Sequence, residues 1–296
     1  MLFDDELLSQ LAKQAIAAAR AAGCLIDANR QTGIDVRRKE TGTSAASQIV
    51  TEVDHKAQAA ILEILKPTCS VHGLALLTEE APDNGQRREK PAFWSIDPMD
   101  GTLAFIRNTP GFSVSIALVA RDGTPLIGVV HDPLEQDLFH AVRGQGAFKN
   151  GQRIRVPGLD PEKPLLLRTD LSFQSDPLLE QTAAGLEEIA SNLGLPGADI
   201  RFQVGAVMNA CGILESPNTC YFKYPRTGNS GGSLWDYAAT ACLFDEVGAV
   251  ASDIEGRPME LNRAGSTFMN HRGILYAGHR ELADRIIEMH RRLADR

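Results

Sequence analysis

The clearest chemical signal in this sequence is a pair of aspartates, Asp97 and Asp100, in the segment DPMDGT at residues 97–102. An apolar run typical of a β-strand leads into this segment, and Gly101 permits a tight turn. Thr102 can cap a short following helix, whose first backbone N–H groups, on Gly101 and Thr102, are then free to bind an anion. Carboxylate oxygens are the ligands that a hard cation such as Mg²⁺ prefers. The segment therefore predicts a magnesium-phosphate site, with a simple capped turn as the alternative.

Three further acidic residues stand where a strand ends or a helix begins. Glu79 belongs to an acidic pair that follows an apolar run, and Asp54 lies near the start of a predicted helix. Asp236 lies three residues after Ser233, a spacing typical of a capping box at a helix N-terminus. Each residue alone has a structural explanation, as a solvated carboxylate or a helix cap. Together with the aspartate pair, they shift the balance from a simple capped turn towards the magnesium-phosphate site.

The elements that would position these residues change in type along the chain. The first thirty residues have helical periodicity, with Gly23 as a predicted break or end, and residues 41–49 have the composition of a loop. A second helix is predicted over residues 51–65. Short β-runs then follow at residues 74–77, 93–96, 113–119, 126–131 and 137–142. This first half is expected to be α+β, with an antiparallel sheet.

The second half alternates strands with helices. Strands are predicted at residues 165–169, 199–203, 219–223 and 273–277, and helices at residues 176–193, 205–214, 234–247 and 280–293. The proline-rich stretch at 157–164 is the predicted linker. We therefore expect two domains, residues 1–156 of α+β type and residues 157–296 of α/β type, the second of which contributes Asp236.

Composition excludes several classes of protein. The chain has 296 residues, 43% of them hydrophobic, so it can bury a sizeable core, and its net charge of -8 argues against a partner that is a nucleic-acid polymer. Five cysteines without a C-x-x-C pair disfavour a disulfide framework or a zinc site and suit a cytoplasmic location. The apolar runs are too short to span a membrane. Dinucleotide, P-loop, zinc-peptidase and serine-hydrolase motifs are not found.

The segment at 97–102 resembles the D-P-[ILM]-D-G-T signature of the inositol monophosphatase superfamily of lithium-sensitive, Mg²⁺-dependent phosphatases. Residues 235–239 resemble the second signature of that family, W-D-x-A-A, in the expected order. Residues 51–54 look like its T-x-x-D motif, and residues 78–80 look like its G-E-E motif with Thr78 in place of glycine. The resemblance implies a layered αβαβα sandwich, a homodimer and a small phosphorylated metabolite as substrate.

The resemblance also implies roles for individual residues. The first Mg²⁺ would be bound by Glu79, Asp97 and the carbonyl of Met99, and the second by Asp97, Asp100 and Asp236. A third, weaker ion would lie near Glu79. Asp54 would hold Thr102, whose hydroxyl helps to orient and activate the attacking water, and Gly101 and Thr102 would contact the phosphate. The metals would neutralise phosphate and align the attacking and leaving oxygens.

The substrate region departs from the family pattern. Where many relatives have a hydroxyl residue after glycine, this chain has Gly205 followed by Ala206, and Lys223 and Arg226 stand where simple inositol monophosphatases carry an acidic residue. These cations could bind a second phosphate or a sugar acid, or could simply be solvated in a flexible loop. An inositol monophosphatase, a bisphosphate nucleotidase and a fructose-1,6-bisphosphatase-like enzyme therefore remain open. An inactive scaffold is the alternative of another class, disfavoured because the acidic set is complete.

Overall fold

The computed structural model describes residues 3–30, 52–203, 205–228 and 231–294, and the backbone of two short strands at 36–38 and 49–51. The helices are α1 (Asp5–Asn29), α2 (Glu52–His72), α3 (Thr102–Ile106), α4 (Leu179–Asn192), α5 (Ala206–Cys211), α6 (Leu234–Val247) and α7 (Arg280–Ala294). The strands of the first half are β1 (Val36–Arg38), β2 (Ile49–Thr51), β3 (Ala75–Thr78), β4 (Ala92–Asp100), β5 (Ser113–Ala120), β6 (Pro125–Asp132), β7 (Asp137–Val142), β8 (Gly146–Lys149) and β9 (Gln152–Arg153). The strands of the second half are β10 (Leu165–Asp170), β11 (Ala198–Gln203), β12 (Thr219–Lys223), β13 (Val250–Ser252) and β14 (Ile274–Ala277).

The strands from β3 to β9 form one seven-stranded sheet in sequence order. All neighbours in it are antiparallel except the edge pair β3 and β4, which run parallel. Alternation along the strands gives the sheet two apolar faces. One face packs against α1 and α2, and the other packs against α5 and α6. The predicted antiparallel sheet is thus correct apart from its first strand.

The second sheet has the order β11-β10-β12-β14-β13. Its first three strands are parallel, and β14 pairs antiparallel with both of its neighbours. Helices α4 and α7 cover one face, while α5 and α6 cover the other. Because α5 and α6 pack against both sheets, the layers follow the order helix, sheet, helix, sheet, helix. The expected αβαβα sandwich is confirmed.

Two predicted helix ends were wrong. Helix α1 continues through Gly23, which is buried. A Cβ at this position would overlap with the imidazole of His131. A close approach to another element, not a helix end, is what requires glycine at this position. Helix α2 extends to His72 and contains Pro67. The predicted loop at 41–49 lies outside the described residues, except for residue 49, which begins β2.

The segment between the two sheets, predicted as a linker, is anchored by side chains of the second half, among them that of Asn218. The Asn218 amide nitrogen donates to the carbonyls of Asp160, at 2.6 Å, and Lys163, at 2.7 Å. The Asp160 backbone N–H in turn donates to the Asn218 side-chain oxygen at 2.9 Å. These bonds satisfy backbone groups in a stretch without regular structure. The division into two domains at residues 156 and 157 stays a prediction.

Among the residues described, no helix has the length and apolar character needed to cross a bilayer.

Candidate metal centre

An irregularity in β4 positions Asp97 and Asp100. The strand does not end at residue 96 as predicted, but continues through Pro98 to Asp100. Asp97 pairs with Ser115 and Asp100 with Ser113, so β4 advances one residue more than β5 between these pairs. Such a bulge bends the strand and re-aims its side chains, and bulges are common beside active sites.

The turn after β4 depends on glycine, as the sequence suggested. Gly101 has a φ of +81°, and a Cβ there would overlap with the carbonyl oxygen of Gly111. Gly101 itself is the N-cap of the short helix α3, and Thr102 is its first residue. The predicted cap at Thr102 was therefore wrong: a residue in the left-handed region was required one position earlier.

Asp97, Asp100 and Asp236 meet at one point. One carboxylate oxygen from each lies within 4.8 Å of the others. Asp97 and Asp100 come from the end of β4, whereas Asp236 comes from the first turn of α6, 136 positions after Asp100. Packing of α6 against the seven-stranded sheet brings the two segments together. The structure thus assembles three of the predicted metal ligands.

Each of these carboxylates is also held by a backbone N–H group. Asp97 Oδ1 accepts a hydrogen bond from the Met99 N–H at 2.9 Å, and Asp100 Oδ2 accepts one from the Val207 N–H at 2.8 Å. Asp236 Oδ2 accepts one from the Ser233 N–H at 2.8 Å, which completes the predicted capping box. Capping and ligation are therefore compatible, because the caps fix the orientation of the carboxylates.

The electrostatics of the cluster favour a bound cation. Burial raises the pKa of Asp97 well above its usual range, and the charges of Glu79, Asp236 and Asp100 raise it further. Burial and the charge of Asp236 likewise raise the pKa of Asp100. The pKa of Asp236 is raised to about 7 by burial and by Glu79, partly offset by Lys223. Oxygen ligands that repel each other, one of them buried and two partly exposed, match what a hard divalent cation requires.

The remaining predicted site residues lie around this cluster. Glu79 directly follows β3, and its backbone N–H donates to the Ile96 carbonyl at 3.0 Å. Its charge acts on Asp97 and Asp236, although it lies outside the group of three. Thr102 Oγ1 donates to the Met99 carbonyl at 3.2 Å. Asp54 is buried in the first turn of α2. Their roles stay predictions.

Gly205 and Ala206 join the second half of the chain to the cluster. Ala206 begins α5, and the N–H groups of Ala206 and Val207 lower the pKa of Asp100, against the effect of burial. Gly205 has a φ of +89°, and a Cβ on it would overlap with the carbonyl oxygen of Gly111 and lie 3.2 Å from Asp100 Oδ2. The run in which the family's hydroxyl residue is missing therefore packs very closely, at Gly205, against the backbone of Gly111.

We expect Gly205→Ala to destabilise the protein by about 3 kcal/mol or more, because strain at positive φ adds to a clash with backbone. Gly73→Ala is the matched control, since Gly73 has a φ of +66° and open space around its Cα. That control should lose only about 1–2 kcal/mol. Urea unfolding of both variants measures the difference. Equal losses would show that the contact with Gly111 is not tight.

A cleft opens beside the aspartate cluster. It contains about 500 Å³ of space, part of it open to solvent, and its walls include Asp170, Phe173, Lys223, Tyr224, Arg226 and Tyr237. Gly232 also lines it, and a Cβ on Gly232 would lie 2.6 Å from Asp236 Oδ2. The cleft therefore reaches the edge of the metal centre.

Lys223 and Arg226 both lie in this cleft, and both are paired. Lys223 Nζ lies 2.5 Å from Asp170 Oδ2, and Arg226 Nη2 lies 2.9 Å from Asp176 Oδ2. The sequence reasoning missed both aspartates. A signal for Asp170 existed, because it directly follows the strand predicted at 165–169, just as Glu79 follows an apolar strand, and in the structure it is the last residue of β10.

A model of the inositol monophosphatase family matches residues 7–294. The chain belongs to this family. A relative from Escherichia coli (strain K12), named Nus factor SuhB, is 32% identical over 242 residues, which cover 82% of this chain and 84% of the relative. A relative with the same name from Pasteurella multocida is 31% identical over the same shares.

Solved structures of inositol monophosphatase family members have the same fold. The inositol monophosphatase from Anabaena superposes with a TM-score of 0.70 at 22% identity, over 96% of each chain. The extragenic suppressor protein suhB from Bartonella henselae gives a TM-score of 0.72 at 22% identity, over 95% of this chain and 98% of that one. At this identity the likeness establishes the fold.

Proposed function

We propose that this protein is a Mg²⁺-dependent phosphomonoesterase that hydrolyses a small phosphorylated metabolite, of the kind an inositol monophosphatase takes. The meeting of Asp97, Asp100 and Asp236 beside an open cleft carries the proposal. Membership of the inositol monophosphatase family supports it. A phosphate ester held at the carboxylate cluster would place its alcohol part in the cleft.

The residues that would hold the metals are Glu79, Asp97, Asp100, Asp236 and the carbonyl of Met99. When bound, divalent cations supply charge neutralisation of the phosphate and lower the pKa of water. The protein's contribution is the fixed position of the ligands. Backbone N–H groups donate hydrogen bonds to the carboxylates of Asp97, Asp100 and Asp236 at 2.9, 2.8 and 2.8 Å respectively. These carboxylates therefore need little rearrangement to bind a cation.

Thr102 is the proposed group that orients the attacking water, together with Asp54. The Thr102 hydroxyl donates a hydrogen bond to the Met99 carbonyl. The lone pairs of Oγ1 therefore remain to accept a hydrogen bond from water. Water held in this way points its own lone pair at phosphorus, while the start of α3 at Gly101 and Thr102 supplies N–H groups for phosphate oxygens.

Thr102→Ala should lower kcat by about 100-fold while Mg²⁺ affinity changes little, because the hydroxyl orients water and contributes no charge to the ligand set. Thr102→Ser, which keeps the hydroxyl, should retain most of the activity. Steady-state kinetics and titration calorimetry with Mg²⁺ measure the two effects. A collapse of Mg²⁺ affinity in the alanine variant would instead make Thr102 a support for the Met99 carbonyl.

The proposal is tested by phosphate release from a panel of substrates with and without Mg²⁺. The panel contains inositol 1-phosphate, adenosine 3',5'-bisphosphate, fructose 1,6-bisphosphate and NADP. We expect turnover of at least one of them, and only with Mg²⁺. No turnover of any, in a protein that binds Mg²⁺, would contradict the proposal for these substrate classes.

A role outside catalysis is the second candidate, because relatives 31–32% identical to this chain are named Nus factor SuhB. A chain that serves only as a binding partner has no need to keep a close set of mutually repelling carboxylates. This chain keeps Asp97, Asp100, Asp236 and Glu79 together, at a cost in the free energy of folding. The set therefore favours catalysis.

A further inference from the structure

Within the cleft, the Lys223 ammonium lies near one carboxylate and two tyrosine rings. It lies 2.5 Å from Asp170 Oδ2, and 5.9 and 5.7 Å from the ring centroids of Tyr221 and Tyr237. Burial alone lowers the pKa of Lys223, but the charge of Asp170 and the contact with Tyr237 outweigh it, so the net shift is upward. The lysine is thus a charged member of a fixed ion pair, with only 22% of its side chain exposed.

The second cation of the cleft is neutralised in the same way. Arg226 pairs with Asp176, whose side chain is 10% exposed. The other oxygen of Asp176 accepts a hydrogen bond from the Leu178 N–H at 3.0 Å, so this carboxylate is held in place. A second phosphate in the cleft would therefore meet two cations that already have partners, and two carboxylates that repel it.

The Asp170–Lys223 pair suits hydroxyl groups. A hydroxyl can donate to the carboxylate and accept from the ammonium at once, which neither a phosphate dianion nor an apolar group can do. The tilted rings of Phe173 and Tyr224, with centroids 6.1 Å apart, add an apolar wall to the same cleft. Carbon–hydrogen faces of a sugar or cyclic polyol can pack on such a wall.

We propose that the Asp170–Lys223 ion pair makes this cleft select an uncharged leaving group with neighbouring hydroxyls, such as a polyol or sugar, over a leaving group that carries a second phosphate. This inference rests on the proposed phosphatase function. It assigns Asp170 as a specificity-determining residue, and it gives the lysine a role in binding hydroxyls rather than anions.

The test is the ratio of kcat/KM for inositol 1-phosphate to that for adenosine 3',5'-bisphosphate. We expect the wild type to favour inositol 1-phosphate by at least about 10-fold. Asp170→Asn, which keeps the shape but frees the charge of Lys223, should lower the ratio by about 10-fold, mainly through KM. Lys223→Gln, which leaves the Asp170 charge unpaired, should move the ratio in the opposite direction. A wild type that prefers the bisphosphate, or a ratio unchanged in both variants, would overturn the inference.

The matched control is Asp284→Asn, which removes the carboxylate from an exposed ion pair with Arg280 on α7. It should leave the ratio unchanged. Calorimetric affinities of the wild type and Asp170→Asn for myo-inositol and adenosine 5'-monophosphate are measured in parallel. If no substrate is turned over, the proposed function fails, and these affinities still decide the inference. Tighter binding of the nucleotide by Asp170→Asn, with weaker binding of inositol, supports it, and equal affinities in the two proteins contradict it.

Discussion

Asp97→Asn is expected to lower kcat/KM by more than about 100-fold, because changes to residues that merely support a metal ligand already cost 10–100-fold. Asp97 is 1% exposed, and the charges of Glu79, Asp100 and Asp236 all act on it, so loss of its charge should weaken cation binding by the whole cluster. The asparagine can still accept the hydrogen bond from the Met99 N–H, which leaves the local backbone intact. The loss should therefore be one of charge and not of folding.

Phosphate release at saturating Mg²⁺, measured on the best substrate of the panel, checks this prediction. Circular dichroism and a melting curve establish that the variant is folded. Asp284→Asn again serves as the control for removal of an exposed carboxylate, and should keep full activity. Near-wild-type turnover of Asp97→Asn would mean that the metal is bound elsewhere, and would refute the cluster as the catalytic centre.

The same substitution should stabilise the protein when no divalent cation is present. A carboxyl group whose pKa is raised by folding binds its proton more tightly in the folded state, so stability falls as pH rises from the unfolded pKa to the folded one. For Asp236 that window runs from 3.8 to about 7, and Asp97 and Asp100 shift in the same direction. At a pH above this window, the carboxylates of the wild-type cluster are ionised and repel each other. Asp97→Asn has one negative charge fewer and therefore less repulsion.

Melting temperatures in EDTA should therefore be higher for Asp97→Asn than for the wild type at pH 7.5, and the difference should shrink towards pH 5. Mg²⁺ at 100 times its Kd should add about 2.7 kcal/mol to the wild type, or roughly 5–10 °C, and much less to the variant. A wild type whose melting temperature ignores Mg²⁺, or a variant that is less stable in EDTA, would contradict this account.

Much of the fold could be predicted because local patterns agree with the tertiary structure. The periodicity of the last helix and of the strands at 113–119 and 126–131 is set by burial on one or two faces, and the structure places those elements within a residue or two of the prediction. The errors come from tertiary contacts. Gly23 looked like a helix end, but it marks the place where α1 passes over His131.

Some features of the candidate site could likewise be predicted from local patterns, whereas others depend on tertiary contacts. Asp97, Asp100 and Gly101 were predicted at a turn because Pro98 and Gly101, which shape it, lie within the same six residues. The bulge in β4 and the close approach of Gly101 to Gly111 were not predicted, because they depend on packing against residues 111–115. Asp236 was predicted as a capping residue, and the capping box is confirmed, but its meeting with the two other aspartates depends on α6 packing between the two sheets. The cap and the ligand position use the same carboxylate, so the local pattern alone favoured neither.

The sequence by itself identified the family through motifs in a fixed order, and that resemblance implied the layered fold. Short-range patterns also placed the acidic residues at strand ends and helix starts. Only the tertiary structure decided how the cleft is charged. Lys223 and Arg226 read as free cations in the sequence, yet their partners Asp170 and Asp176 lie about fifty positions earlier, beyond any local pattern. Ion pairs between distant segments depend on how helices and strands pack. The sequence left open an anion site or solvated charges, and by our proposal the packing instead gives a neutral, hydroxyl-binding site.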